Sequence, residues 1–305
     1  QSGDSVRWGL ALMNLSDVLA FDDPEQAAFV ARDAIGHLRH TGHRFWLAMA
    51  TGNLAYALLA AGDWDGAANA LQEGTEADGL HDVDFFKTYR AWLAGLRGDL
   101  DTAQTVLLSL NEIQDSEDPQ DQAMIAGVRA CIDAASGQPA AALRQARIPL
   151  DYSDVLGISS EQLRWAWPVA ARAAHDLRDT ATIDQLLALL ETSKPGQLAP
   201  ILRAERELVM ARLAAARDDV DAARMFVQAI ASLRAVSTPY HLAHGLLDHA
   251  DYLAVAGDPA AAGRAIDDAR EIANRLRCLP LLDRAAASAG RLAAPGYVTS
   301  EPAGT

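Results

Sequence analysis

The chain has 305 residues, half of them hydrophobic and only 6% aromatic, and its 41 acidic against 26 basic side chains give a formal net charge of −15 at pH 7. Such a surface repels phosphate backbones, which excludes nucleic-acid binding by this region, and the dispersed carboxylates read as a solvated face and not a charged tail. No apolar run approaches the ~20 residues that a membrane helix needs, and no signal peptide is legible, so the expectation is a cytoplasmic chain with no membrane partner.

Ala and Leu dominate, β-branched residues are sparse, and no period-2 alternation is sustained, so helices are expected and strands are not. In chain order the expected helices cover 5–20, 24–38, 44–61, 64–77, 83–96, 100–113, 121–136, 139–147, 161–177, 180–191, 200–216, 219–234, 240–256 and 259–277, with a last one near 280–291. Two stretches break the rhythm. Residues 148–160 form a long connection in which Pro149 is expected to shorten the preceding helix, and residues 192–200 form another loop. Pro168 must either start or kink the helix in which it falls. Residues 293–305, rich in Pro and Gly, are expected to form a disordered tail.

The turns between helices carry a recurring phrase. It reads Gly62-Asp63…Ala67, Gly98-Asp99…Ala103, Gly137-Gln138…Ala142 and Gly257-Asp258…Ala262. Degenerate copies stand at Asp22-Asp23…Ala27, Arg178-Asp179…Ile183 and Arg217-Asp218…Ala222. Successive copies are 36 to 41 residues apart. A period in this range marks stacked supersecondary units. Each unit reads as helix A, a tight turn and an antiparallel helix B. Gly supplies the left-handed residue that stops helix A, and Asp caps helix B. The expected fold is an all-α solenoid of about seven antiparallel helix pairs plus a C-terminal capping helix, spanning 1–292.

The spacing from turn Gly to buried Ala resembles that of the tetratricopeptide (TPR) repeat. Leu54, Ala55, Leu58, Gly62, Ala67 and Leu71 fall at that family's packing positions. Ala91, Ala130, Ala171 and Ala250 match Ala55, while Leu107, Leu187, Phe226 and Ile266 match Leu71. Trp167 fills the family's early-helix aromatic position. The resemblance implies a right-handed α-α superhelix. The repeats exceed the standard 34 residues, and such long, degenerate repeats resemble the MalT-like region of large bacterial signalling ATPases. That group includes LuxR-type regulators and actinobacterial adenylate/guanylate cyclase proteins. The stretches 164–174 (Arg-Trp-Ala-Trp-Pro-Val-Ala-Ala-Arg-Ala-Ala) and 272–285 carry the likeness. The short tail after Leu292 favours the cyclase-type arrangement, with the repeats C-terminal, and the absence of an initiating Met at Gln1 suggests a part cut from a longer protein.

No phosphate loop, dinucleotide fingerprint, His-Glu-x-x-His or Gly-x-Ser-x-Gly occurs, so no enzyme, cofactor or metal is expected. His37, His40 and His43 read as solvated residues around a helix end, and His241, His244 and His249 as part of another helix. The pairs Asp22-Asp23 and Asp218-Asp219 coincide with turns and read as caps, and Asp267-Asp268 as a solvated face. Cys131 reads as a buried free thiol. Of the Trp residues, Trp167 is expected in the core and Trp165 toward the groove.

In TPR proteins the A helices line the concave surface. Carried over residue by residue, the resemblance implies a groove of Met49, Gly52 and Tyr56, then Phe85, Thr88 and Trp92, then Trp165, Arg172 and His175, then Glu207, and last His244 and Asp251. This aromatic and polar mixture suits a protein or peptide partner, or a polar small ligand. The functional expectation is a non-catalytic interaction and sensing region of a signalling protein, the alternatives being a free-standing adaptor or an all-helical enzyme.

Overall fold

A computed structural model describes residues 2–111, 113–194, 196–236 and 238–293. Among these residues there are sixteen α-helices and no strand. They are α1 Ser2–Leu19, α2 Pro24–Arg39, α3 Arg44–Ala61, α4 Trp64–Glu76, α5 Asp84–Arg97, α6 Leu100–Leu108, α7 Pro119–Ala135 and α8 Pro139–Asp151. There follow α9 Ser153–Leu156, α10 Glu161–Asp176, α11 Thr180–Glu191, α12 Pro200–Ala216, α13 Ala222–Ala235, α14 Pro239–Val255, α15 Pro259–Leu276 and α16 Leu279–Ala293. The chain is an α-α solenoid of helix pairs, as the period predicts. It divides into two compact units, residues 1–203 and 204–305. The expected tail lies, but for Ala293, outside the described residues.

The turn chemistry is uniform. Between α3 and α4 the Gly62 N–H reaches the Leu59 carbonyl at 3.1 Å and the Asp63 N–H reaches the Leu58 carbonyl at 2.8 Å. Gly62 has φ 84°, the left-handed conformation this double bond requires. The same pair of bonds recurs at Gly98-Asp99, Gly137-Gln138, Arg178-Asp179, Asp218-Asp219 and Gly257-Asp258. The carboxylates of Asp23, Asp63, Asp99, Asp179 and Asp258 then accept the N–H three residues on, at 2.8–3.2 Å. These aspartates are therefore helix caps. Gln138 makes no such bond; Pro139, at the first helical position, presets the backbone for the helix and has no N–H of its own to satisfy.

Past each turn a small residue lets helix B close on helix A. Ala67, Ala103, Ala142 and Ala262 have no exposed surface, nor have Ala55, Ala91 and Ala130. In the first unit the A helices also pack in series, α1 on α3, α3 on α5, α5 on α7 and α7 on α10. In the second unit α13 packs on α14, α14 on α15, and α16 covers both α14 and α15.

Three local expectations are corrected. Pro149 does not shorten α8, which runs on to Asp151 with the proline buried inside it. Only two residues remain beyond Pro149, so its missing N–H removes one bond of a terminal turn, and burial of the ring offsets that loss. The connection that follows contains the short α9. Of the two alternatives for Pro168 the structure takes the second position, inside the helix, since α10 begins at Glu161 as expected. Finally α6 stops at Leu108, and α13 starts at Ala222: Asp218, with φ 53°, takes the left-handed position expected of Arg217, which shifts the turn by one residue, and a further turn closed by the Ala222 N–H on the Asp219 carbonyl at 3.0 Å precedes the helix.

Candidate functional site

The aromatic side chains of α5 at positions 85, 89 and 92 share one face, since spacings of four and seven bring residues into line on a helix. That face meets α3 and α10. Phe85 stands edge-on to Tyr89 at 5.3 Å, Tyr56 stacks on Trp92 at 6.2 Å, and Trp165 stands edge-on to Trp92 at 4.7 Å between ring centroids. Gly52 makes the approach possible. A Cβ there would lie 2.6 Å from Cε2 of Tyr89, so no larger residue fits without moving the ring.

Polar groups are built into this aromatic floor. The Tyr89 hydroxyl donates to both carboxyl oxygens of Glu161 at 3.1 and 3.2 Å. Arg164, one turn along α10, is 5% exposed and donates from Nη1 to the Ala20 carbonyl at 3.1 Å. Ala20 is the residue just past α1, so the guanidinium satisfies a free carbonyl at the negative end of that helix. The same guanidinium lies 5.1 Å from the centroid of the Tyr56 ring and 5.8 Å from that of Phe21. A bond spanning 144 residues thus ties α10 to the end of α1 within the first unit.

Beside this closure is a cavity of about 550 Å³, walled by Asp17, Phe21, Asp22, Ser160, Glu161 and Arg164. Asp17 and Asp22 form an exposed rim, while Glu161 and Arg164 lie deeper. Burial pushes the Glu161 carboxyl up to about 7. Arg164 opposes the rise, the Asp17 charge adds to it, and the Tyr89 bond opposes it. Burial also raises the Tyr56 and Tyr89 hydroxyls.

The residues expected along the groove fall into three groups. Gly52, Tyr56, Thr88, Trp92 and Trp165 are buried, which corrects the expectation that they wall an open groove. The curl that brings α10 to α1, α3 and α5 packs them on one another, and the Thr88 hydroxyl donates to the Phe85 carbonyl of its own helix at 2.6 Å. Met49, Phe85 and Arg172 are half-buried, and His175 is exposed. In the second unit the expected residues are engaged by neighbouring helices. Glu207 accepts from Ser232 of α13 at 2.6 Å, and His244 lies 2.8 Å from Arg284 of α16. Asp251 accepts from Ser288 at 3.0 Å and from Arg291 at 2.7 Å. Sequence reasoning missed Asp17, Phe21, Tyr89, Glu161 and Arg164. The aromatic spacing on α5 was the available signal for Tyr89; the meeting of residues 20 and 164 has none.

The second unit holds a buried ionic core. Asp248 of α14 pairs with Arg212 of α12 and Arg284 of α16. Burial alone would raise its carboxyl, but the two guanidinium groups overrule it and hold it down to about 2. Glu205 and His241 pair at 2.5 Å, both almost fully buried. Cys131 is a free, buried thiol, and Cys278 is buried. Among the described residues no group of three or more His, Cys, Asp or Glu could hold a metal ion, and no helix is long and apolar enough to cross a membrane.

No family model matches the chain, and no curated protein does. Solved structures do. A Rap protein in complex with Competence and Sporulation Factor is similar with a TM-score of 0.64 and 14% identity, over 91% of this chain and 80% of that one. The TPR domain of P58(IPK) aligns over 94% of this chain and 98% of that one, with 14% identity and a TM-score of 0.26. At such identities the Rap likeness is one of fold, and it agrees with the turn chemistry and the buried alanines: the chain is a TPR-like helical repeat.

Proposed function

We propose that this chain is a non-catalytic, cytoplasmic interaction and sensing region that binds a protein segment or peptide on the inner face of its first unit. The observation that carries the reading is the convergence of α1, α3, α5 and α10 on one aromatic floor with a polar cavity beside it. Helical repeats act by presenting surfaces, and their stacking geometry is set by small rotations between units. A ligand seated between α1 and α10 favours the closed arrangement, so binding shifts the curvature of the stack and whatever is linked to it. The Rap protein of similar fold is complexed with a factor, which supports a binding role by analogy of architecture.

The test uses the chain's own fluorophores. Trp92 and Trp165 lie within the floor, so a peptide that binds there should change their emission in a saturable way. The expected result from a screen of short synthetic peptides is saturable binding by a subset, abolished by Tyr89→Phe combined with Trp165→Phe. No saturable binding across the screen overturns the reading.

A finer proposal follows the likeness of residues 164–174 and 272–285 to the MalT-like region of signalling ATPases. The chain then belongs to a larger cyclase-type or LuxR-type regulator, in which curvature biases a linked catalytic or DNA-binding domain. The full open reading frame decides it. A linked nucleotide-binding, cyclase or DNA-binding domain is the expected finding, and a gene that ends with the repeats makes the chain an adaptor instead.

A further inference from the structure

We infer that the cavity between α1 and α10 is a recognition pocket for a basic residue, Lys or Arg, carried on a peptide. This deepens the reading above and rests on it. Three observations carry the assignment, and the first is charge. Three carboxyl groups, Asp17, Asp22 and Glu161, line the cavity against one guanidinium. Nη1 of that guanidinium is engaged by the Ala20 carbonyl, and its plane lies near the rings of Phe21 and Tyr56. A cationic group entering between the rim aspartates and Glu161 supplies the charge the pocket lacks, and the ring of Phe21 offers it an apolar wall.

The second observation is the pair of orphan donors. Nε of Arg164 and Oγ of Ser160 are buried without a hydrogen-bond partner, and both residues line this cavity. Buried polar groups are almost always satisfied, and leaving one unmade is costly. Nε–H can only donate, so the missing partner is an acceptor. A peptide residue brings both parts, a cationic side chain and a backbone carbonyl, whereas a free polyamine brings only the cation. The third observation is size, since about 550 Å³ holds a long side chain together with its flanking backbone.

Glu161 gives the pocket a pH signature. The groups that face it are Tyr89 from α5, Tyr56 from α3, Asp17 from α1 and Arg164 of its own helix. With its carboxyl at about 7, the empty pocket is partly protonated at neutrality. A cation binds the ionised form, so its entry expels that proton and affinity rises as pH rises through neutrality.

The experiment is titration of the full chain with acetyl-Gly-Arg-Gly-amide, followed by calorimetry and Trp emission. The comparators are acetyl-Gly-Gln-Gly-amide and spermidine. The expected result is an Arg peptide that binds at least about tenfold tighter than either comparator, and tighter at about pH 8 than at about pH 6. Glu161→Gln, which keeps an acceptor for Tyr89, should weaken it about tenfold and flatten the pH dependence. Asp17→Asn, on the exposed rim, should weaken it without touching the packing. Equal binding of the Gln peptide, or unchanged affinity in both variants, overturns the assignment of charge. Spermidine as tight as the Arg peptide overturns the assignment to a peptide. Peptides that bind in the wider screen without preferring Lys or Arg sink this inference alone, whereas a screen with no binder sinks the functional reading as well.

Discussion

Arg178 and Asp218 sit at φ 57° and 53°, where four other turns of the same geometry use Gly62, Gly98, Gly137 and Gly257. A side chain in this conformation crowds its Cβ against the backbone and costs about 1–2 kcal/mol, against about 0.5–1 kcal/mol of entropy lost on introducing glycine. Arg178→Gly should therefore stabilise the chain by about 0.5–1 kcal/mol, and Gly62→Ala should destabilise it by about 1 kcal/mol, both read as shifts of the urea midpoint at constant slope. Asp248 is a residue of the opposite kind, because its charge is held by two partners. Asp248→Asn leaves Arg212 and Arg284 facing a neutral group in a buried site and should cost about 3–5 kcal/mol. The folded carboxyl titrates at about 2, below its ordinary value of 3.8. Its contribution is therefore complete above the ordinary value and is lost as pH falls through about 2. Acid titration of stability in wild type and variant should converge in that window. Persistence of the full difference at the acid end would show that the pairing is not what stabilises the site.

Among the elements, the helix pairs were legible in the sequence because local chemistry builds them. Gly at the stop, Asp at the start and Ala at the crossing act within about one turn of chain, so turns such as Gly62-Asp63 and Gly98-Asp99 could be read directly. Even there, the left-handed conformation at Asp218 instead of Arg217, followed by a further turn from Asp219 to Ala222, moved a helix start from 219 to Ala222. The site was legible only in part. Tyr56, Trp92 and Trp165, expected on an open face, are buried against one another, because whether such a face is open depends on curvature, which sums small rotations over several pairs. Gly52 is the element-scale device that sets the closeness of α3 to α5. Gly52→Ala should overpack Tyr89 and cost about 1–3 kcal/mol, although Ala is the better helix former. Gly127, whose added Cβ would meet nothing within 4 Å, is the control. Gly127→Ala on α7 should be neutral or stabilising by up to about 1 kcal/mol, and similar shifts at both positions in thermal melts would refute the close-approach argument.

Over the whole molecule, a solenoid couples each repeat only to its neighbours, and destabilisation should then spread no further than one pair. The first unit departs from that rule. Arg164 ties α10 to the end of α1, and Tyr89 ties α5 to Glu161 of α10, so elements far apart in repeat order share contacts. A ring of contacts makes opening at one point felt at the other, because the loop closed by the Arg164–Ala20 bond must be re-formed on closing. Arg164→Met keeps much of the buried stem and removes the charge. It frees the Ala20 carbonyl and leaves Glu161 without its favourable neighbour, a loss of about 3–5 kcal/mol for breaking a buried charged contact. Hydrogen exchange locates that loss. If the closure is energetic as well as geometric, protection should fall together in the last turns of α1 and the first turns of α10, while α11 and its turn at Arg178-Asp179, next to α10 in repeat order, change less. Loss confined to α7, α10 and α11 would instead show nearest-neighbour coupling and a closure that contributes little. The same measurement on Glu161→Gln carries the opposite sign. Its carboxyl titrates at about 7 in the folded chain against 4.5 ordinarily, so ionisation opposes folding increasingly as pH rises through that window. Above about pH 7 the neutral amide should protect α1 and α10 better than wild type does, and at acid pH the two chains should exchange alike.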